Sequence, residues 1–170
     1  AGVSVALDTS DAPLETLGAA MRAGSRESSF LPDLIKPNGL VLGQLLGIDG
    51  SVLESGSEAG DFGPVADAAR ELVDVGVGAV LVTLGGAGAL LATPDGVWSA
   101  SPPDIAVRST VGAGDSSLAG YLLAAHLELD PPERLRWSVA HGSVAASLPG
   151  TGLPHALDMD RAPHIDVISH

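Results

Sequence analysis

The chain has 170 residues, of which 45% are hydrophobic and only 3% aromatic, so we expect one domain with a core of Ala, Val and Leu rather than disorder. Eight basic residues against 21 acidic ones give a formal charge of −13, which argues against binding to nucleic acid or to an anionic membrane. Cysteine is absent, which excludes disulfides and thiolate metal sites.

The predicted elements alternate between strands and helices along the chain. Short aliphatic runs indicate strands, and apolar residues at helical spacing indicate helices. In chain order we predict a buried strand at 3–7, a helix at 14–23, a strand at 34–35, a helix at 39–46 closed by Gly47, a surface loop at 48–62, a helix at 65–75, strands at 79–84, 89–93 and 97–100, and helices at 113–127 and 132–148. The tail at 153–170 gives weak signals. This alternation predicts a doubly wound α/β fold whose mostly parallel sheet binds ligands at the carboxyl ends of its strands.

Two features bear on what kind of segment this is. The apolar run at 75–92 is about long enough to span a membrane. Five glycines and Thr83 within it favour two short buried strands around a turn instead. Because the sequence begins at Ala1 inside a predicted strand and without an initiator Met, we also expect a piece of a longer protein.

The most specific stretch lies at 109–120 and reads Ser-Thr-Val-Gly-Ala-Gly-Asp-Ser-Ser-Leu-Ala-Gly. The small residues Gly112, Ala113 and Gly114 precede an apolar run, which predicts a tight turn that opens a helix. The first N–H groups of a helix lack an intrahelical partner and lie at the positive end of its dipole, so this turn suits a phosphate. The Asp115 carboxylate is repelled by an anion, which is purposeful if it takes a proton from an attacking hydroxyl. A glycine turn with an ordinary Asp cap is the alternative.

This stretch resembles the C-terminal signature of the ribokinase-like (PfkB) carbohydrate kinases, with the phosphofructokinase branch most similar. The resemblance implies that Gly112, Ala113 and Gly114 form the anion hole for the transferred phosphoryl group and that Asp115 is the catalytic base. It covers the chain from Val3 to about residue 154, but only the C-terminal, ATP-binding half of the family's fold. We therefore expect 1–170 to be a single α/β domain that lacks the family's N-terminal half and small β lid.

Two further segments resemble parts of the family that contact ATP. Thr83, Gly85 and Gly88 match the element [Ser/Thr]-x-Gly-x-x-Gly, which implies a place beside the ATP phosphates, although such turns are common without a ligand. Gly142 and Ser143 match the part that borders the adenine base. Simple helix packing explains these last two residues equally well.

The segment Lys36-Pro37-Asn38 resembles the family's Lys-Pro-Asn-x-x-Glu, which implies that Lys36 and Asn38 bind ATP and that Asn38 helps indirectly to place Mg²⁺. The position of the family's Glu is Val41 in this chain. A valine cannot hold a hydrated cation, so either metal binding is weakened or another acid replaces the Glu. The candidates for that acid are Asp8 and Glu54.

Ser109, Val111 and Gly150 resemble the family's monovalent-cation loop, which implies that their backbone oxygens bind K⁺. A C-cap turn is an equally good interpretation of Gly150.

The resemblance implies an enzyme that transfers phosphate from ATP, with Mg²⁺ and with K⁺ as a further candidate, to a sugar phosphate. We expect fructose 1-phosphate to become fructose 1,6-bisphosphate. Tagatose 6-phosphate and fructose 6-phosphate kinases are alternatives, and so is a truncated, inactive nucleotide-binding module. We expect small-molecule partners and a cytoplasmic location, without nucleic acid or membrane, and leave a homodimer open.

Overall fold

The computed structural model describes residues 4–9, 31–150, 152–159 and 164–170, so the predicted helix at 14–23 lies outside the described residues. The chain divides into two compact units. The first comprises the described part of Ala1–Trp98 together with Ser169 and His170, and the second the described part of Ser99–Ile168. A single domain over 1–170 stays a prediction.

Most of the elements form where the sequence predicts them. Apolar periodicity defines the helices, and Gly47, with φ of 75°, ends the first of them as a left-handed cap. The described elements are β1 (Ala6–Asp8), β2 (Leu34–Lys36), α1 (Gly39–Leu46), α2 (Gly50–Glu58), α3 (Gly63–Asp74), β3 (Val80–Thr83), a short 3₁₀ turn (Gly85–Ala87), β4 (Ala89–Thr93), β5 (Gly96–Ala100), α4 (Ala113–His126), α5 (Pro131–Ser147), α6 (Ala156–Met159) and β6 (Val167–Ser169).

The six described strands form one sheet in the order β1-β2-β3-β4-β5-β6. Strands β1, β2 and β3 are parallel, and β4 runs antiparallel to β3 because a short turn joins them. The α/β fold with flanking helices is thus confirmed. Side chains of β2, β3 and β4 pack with α1, α2 and α3 into the core of the first unit, which includes Ile35, Leu42, Leu53, Val65, Leu72, Val80, Val82 and Leu90.

The apolar run at 75–92 forms β3, the 3₁₀ turn and most of β4, as the two-strand prediction requires. Within the described ranges, every helix is too short or too polar to cross a membrane.

The prediction of a buried strand at 3–7 is wrong in its bounds and in its burial. The strand is β1, and Val5 just before it is 53% exposed. Among the described strands, β1 is the first in the sheet order and pairs only with β2, so no described strand covers its other edge.

The prediction of a surface loop at 48–62 is also wrong, because this segment contains α2. Asp49 caps the helix: its Oδ1 accepts hydrogen bonds from the Ser51 N–H at 3.0 Å and the Ser51 hydroxyl at 2.7 Å. The helix packs tightly on α1, since a Cβ on Gly43 would lie 2.5 Å from the Gly50 backbone nitrogen. Glycine and serine are weak helix formers and give little periodicity, so close packing forms this helix despite its sequence.

The tail, whose sequence gives only weak signals, contains α6 and β6, and neither was predicted. His170, next to β6, donates its N–H to Val97 O at 2.9 Å and accepts a hydrogen bond from the Arg70 guanidinium. The His170 ring also lies against Phe62, with 6.2 Å between the ring centroids. A three-residue strand depends on such contacts with the sheet, and its own sequence does not show them.

Candidate functional site

The predicted anion-binding turn forms the start of α4 in the second unit. Gly112 takes the N-cap position with φ of 79°, a left-handed conformation that favours glycine. The Ser116 N–H makes the first bond of the helix, to Gly112 O at 2.9 Å. The N–H groups of Gly114 and Asp115 have no acceptor among the residues that the structure describes. The turn thus presents the unpartnered N–H groups of Gly114 and Asp115 at the positive end of a 14-residue helix, as anion binding requires. The predicted anion-hole residue Ala113 already donates its N–H to Thr110 O at 3.3 Å.

Asp115 lies in the first turn of α4 and is exposed. Its carboxylate makes no ion pair or hydrogen bond with the described part of the chain. An exposed carboxylate beside unpartnered N–H groups can accept a proton while those groups hold an anion.

The loop before α4 is anchored on the last turn of α5. The N–H groups of Arg108 and Ser109 both donate to Ala146 O, at 2.8 and 3.2 Å. Ser109 Oγ accepts a hydrogen bond from the Val111 N–H at 3.3 Å. Of the three residues predicted to bind a monovalent cation, two are thus linked by a hydrogen bond, and Ser109 is anchored on the helix that the third, Gly150, follows.

Helices α4 and α5 approach each other closely where each carries a glycine. A Cβ on Gly142 would lie 3.3 Å from Ala113 O in the first turn of α4, and a Cβ on Gly120 would lie 2.6 Å from Trp137 O. Ser143, next to Gly142, is buried. The structure therefore packs Gly142, one residue of the predicted adenine border, directly against the predicted anion-binding turn.

In the first unit, Lys36 is the last residue of β2 and forms an ion pair with Asp8, the last residue of β1. Its Nζ lies 3.1 Å from Asp8 Oδ2, and the two residues are partners in the register of β1 and β2. Only 5% of the Lys36 side chain is exposed, so its charge needs this partner. The predicted ATP-binding lysine is therefore paired with Asp8, one of the two candidate replacement acids.

The remaining predicted residues of this unit meet at the carboxyl ends of β2 and β3. Asn38 and Thr83 form a parallel bridge, and the Thr83 N–H donates to Pro37 O at 3.0 Å. The glycine turn follows directly, with positive φ at Gly85 (55°) and Gly88 (108°) and with the Gly88 N–H donating to Gly85 O at 3.2 Å. In an α/β sheet this edge is where ligands bind.

The surroundings of Val41 show how well this unit fits Mg²⁺. Val41 is half-buried against the core, and its N–H donates to Asn38 Oδ1 at 2.8 Å, so that oxygen caps α1. Glu54 of α2 lies beside the start of α1, because a Cβ on Gly39 would lie 2.5 Å from Glu54 Cγ and 3.4 Å from its Oε1. Among the described residues, no group of three or more His, Asp or Glu could hold a metal. A Mg²⁺ at this site would therefore need nucleotide phosphates and waters as most of its ligands, a usual arrangement for this ion.

Sequence reasoning assigned no role to several residues of the second unit. Ser117 Oγ and Ser138 Oγ lie 2.7 Å apart between α4 and α5, and Ser116 Oγ is buried without a partner among the described residues. Arg108 is exposed just before the anion-binding turn. Because basic residues are scarce in this sequence, Arg108 could have been singled out from the sequence alone. The serine contacts depend on helix packing, which the sequence does not reveal.

A model of the pfkB family carbohydrate kinases matches residues 8–157, which include every predicted site residue. Among curated proteins, the 1-phosphofructokinase of Rhodobacter capsulatus is 40% identical over 153 residues, which cover 90% of this chain and 42% of the relative.

Crystal structures of Escherichia coli phosphofructokinase-2 resemble this fold. The complex with substrates and products has a TM-score of 0.75 at 31% identity, and the complex with potassium has a TM-score of 0.76 at 30% identity. Each match covers 95% of this chain and 47% of the other. The chain therefore spans less than half the length of these relatives.

Proposed function

Since this chain belongs to the pfkB family of carbohydrate kinases, we propose that it transfers the γ-phosphoryl group of ATP to a hydroxyl of a sugar phosphate. One observation carries the proposal: the unpartnered N–H groups of Gly114 and Asp115 lie at a helix start that also carries the exposed Asp115 carboxylate. Phosphoryl transfer needs mainly this, a means of stabilising charge and a group to orient the nucleophile.

In the proposed reaction, the sugar hydroxyl oxygen attacks the γ-phosphorus and forms the new P–O bond. The bond from that phosphorus to the β,γ-bridging oxygen breaks, and ADP leaves with the electron pair. Asp115 takes the proton of the hydroxyl, and the N–H groups of Gly112 and Gly114 bind the charge on the transferred group. Ala113, the third predicted residue of the anion hole, would join them only by giving up its hydrogen bond to Thr110 O.

We assign contacts with the nucleotide phosphates to Asn38, Thr83, Gly85 and Gly88, because these residues share one edge of the sheet. Lys36, which the sequence also predicts to bind ATP, would have to give up its pair with Asp8 to reach a phosphate. We assign Gly142 and Ser143 to the adenine border. The similar phosphofructokinase-2 of Escherichia coli forms a complex with potassium, which supports Ser109, Val111 and Gly150 as a K⁺ site in this chain.

Magnesium, when bound, neutralises charge on the phosphates. Of the two acids considered as replacements for the family's Glu, Glu54 is the better candidate, since Asp8 pairs with Lys36. We expect Glu54→Gln to reduce the gain in ATP affinity that Mg²⁺ produces in a calorimetric titration. Glu58→Gln, on the same helix, is the control, and an equal response in both variants would remove Glu54 from the site.

Fructose 1-phosphate is the proposed acceptor, because the curated relative is a 1-phosphofructokinase. Tagatose 6-phosphate and fructose 6-phosphate remain the competing acceptors, since the residues that choose between them are not identified in this chain. A homodimer and a cytoplasmic location stay predictions.

The test is a calorimetric titration of the purified chain with ATP, with and without Mg²⁺, followed by a coupled assay of ADP release with each of the three sugar phosphates. We expect Mg²⁺-dependent ATP binding and the fastest ADP release with fructose 1-phosphate. Binding of ATP without sugar-dependent ADP release would favour the second candidate, a nucleotide-binding module. Val41 supports that candidate, because it stands where the family has its Glu. A chain that is folded by circular dichroism and binds no ATP would overturn both.

A further inference from the structure

We propose that Arg108 is a phosphate-binding residue of the Gly112–Gly114 turn, an inference that rests on the proposed function. The chain has eight basic residues against 21 acidic ones, so each positive side chain near an anion site has a large effect on the attraction of an anion to that site. Backbone N–H groups carry only partial charges, so a full positive charge beside such a turn strengthens its binding of an anion.

The other described cations of the protein already have partners. Lys36 pairs with Asp8, and Arg70 pairs with Asp67. Two arginines of α5 also have acceptors: Arg134 Nε donates to Leu129 O at 2.6 Å, and the Arg136 guanidinium bonds Glu133 and Ile165 O. Within the described residues, Arg108 is the one lysine or arginine whose side chain makes no ion pair or hydrogen bond.

The backbone of Arg108 is held in place although its side chain is exposed. Its N–H donates to Ala146 O at 2.8 Å, as does that of Ser109 at 3.2 Å, so the last turn of α5 fixes the start of its side chain. Gly112 follows four residues later, and four residues span at most about 14 Å even when extended. Hydrogen bonds from the Val111 N–H to Ser109 Oγ and from the Ala113 N–H to Thr110 O fold this segment, which shortens that span.

A guanidinium in this position suits a phosphate better than an ammonium would. Its planar set of N–H donors can bind two phosphate oxygens at once, and it keeps its charge at any physiological pH. The side chain is thus, among the described residues, an unpaired cation on a fixed backbone four residues before Gly112, and the chemistry that it would recognise is the terminal phosphate of a nucleoside triphosphate.

The test compares Arg108→Gln and Arg108→Lys with Arg70→Gln, which removes the same charge from an exposed pair elsewhere. Calorimetric titrations with ATP and with adenosine separate phosphate from base recognition. We expect Arg108→Gln to weaken ATP binding about 10- to 100-fold, the usual range for a lost hydrogen bond to a charged group. Adenosine binding should not change, and Arg108→Lys should restore part of the affinity because it keeps the charge.

A measurement on the unaltered chain covers the case in which Arg108→Gln fails to fold. Phenylglyoxal modifies exposed arginines, and we expect ATP to protect Arg108 but not Arg70 when modified peptides are weighed by mass spectrometry. ATP binding by the wild-type chain with no protection of Arg108, or with equal affinity in Arg108→Gln and Arg70→Gln, would overturn this inference alone. Failure of the folded wild-type chain to bind ATP would overturn the proposed function together with it.

Discussion

The Asp115 carboxylate is the residue on which the proposed chemistry depends most directly. It lies in the first turn of α4, exposed beside N–H groups that lack acceptors among the described residues. An exposed carboxylate with no partner among the described residues is free to accept the proton of an incoming hydroxyl, as a general base does. The sequence predicted its place at the helix start, and the structure agrees.

We expect Asp115→Asn to lower turnover by roughly 10²- to 10⁴-fold, the usual contribution of general acid–base catalysis. The affinity for ATP should hold or rise slightly, since the change removes a negative charge beside an anion site. Single-turnover assays and calorimetry on the same preparation measure the two effects. Near-normal turnover would show that Asp115 is not the catalytic base.

Tyr121 permits a test of pH dependence at a single residue. Burial between α4 and α5 raises the pKa of this phenol above its usual 10.0, although Arg134 opposes the shift. The folded chain therefore holds the phenolic proton more tightly than the unfolded chain. The resulting stabilisation is complete below about pH 10 and is lost as the pH rises through the folded pKa.

We expect the wild-type chain to lose stability between about pH 9 and pH 11 more steeply than Tyr121→Phe, which cannot ionise there. Urea unfolding at a series of pH values gives the two slopes. Tyr121 is the only tyrosine in the sequence, so phenolate absorbance follows it without interference. Parallel slopes for the two proteins would contradict the raised pKa.

At the scale of elements, the close contact of α4 with α5 depends on Gly120, which has no side chain. A Cβ on Gly120 would lie 2.6 Å from both Trp137 O and His141 Nδ1. The His141 ring is itself held, since Nδ1 lies 2.8 Å from Trp137 O and the ring stacks on Trp137. Neither neighbour can give way without loss of a contact.

We therefore expect Gly120→Ala to lower the free energy of unfolding by about 1–3 kcal/mol, although alanine favours helix more than glycine does. Gly86→Ala is the control, because a Cβ there meets nothing within 4 Å. Chemical denaturation measures both variants. Equal stability of Gly120→Ala and wild type would mean that α4 and α5 can separate slightly at no cost.

At the scale of the whole molecule, α4 carries an apolar surface that the described chain leaves exposed. Leu122, Leu123 and Leu127, which follows the helix, are 43%, 45% and 51% exposed. Adjacent exposed leucines of this kind commonly mark an interaction surface. The chain also spans only 42% of the length of its curated relative.

We expect the purified chain to self-associate through this surface. Substituting Leu122→Gln together with Leu123→Gln should shift it toward monomer in sedimentation velocity over a range of concentrations. The control pair is Ile48→Gln with Val52→Gln, which removes two apolar residues that are 50% and 55% exposed in the first unit. If the control pair alone changed the association, the surface would lie elsewhere.

Much of the fold and of the candidate site could be predicted from local signals. Helix α1 was predicted with its bounds and its Gly47 cap, because apolar spacing and a terminal glycine both act within a few residues. The turn at 112–115 was predicted for the same reason, since small residues followed by an apolar run specify a helix start locally. The glycine turn after β3 was predicted as well, at the strand end where the structure places it.

What the sequence by itself determined is therefore most of the described elements, the α/β class and the turn that opens α4, because the signals for these lie in neighbours along the chain. Tertiary structure alone decided that residues 50–58 form a helix, that the tail returns as β6, and that Lys36 is neutralised by Asp8. These depend on contacts between segments far apart in sequence, where close packing, a sheet edge or a buried charge outweighs weak local preference. The unpaired state of Arg108 belongs to the same group, since it follows from where every other described cation finds its partner.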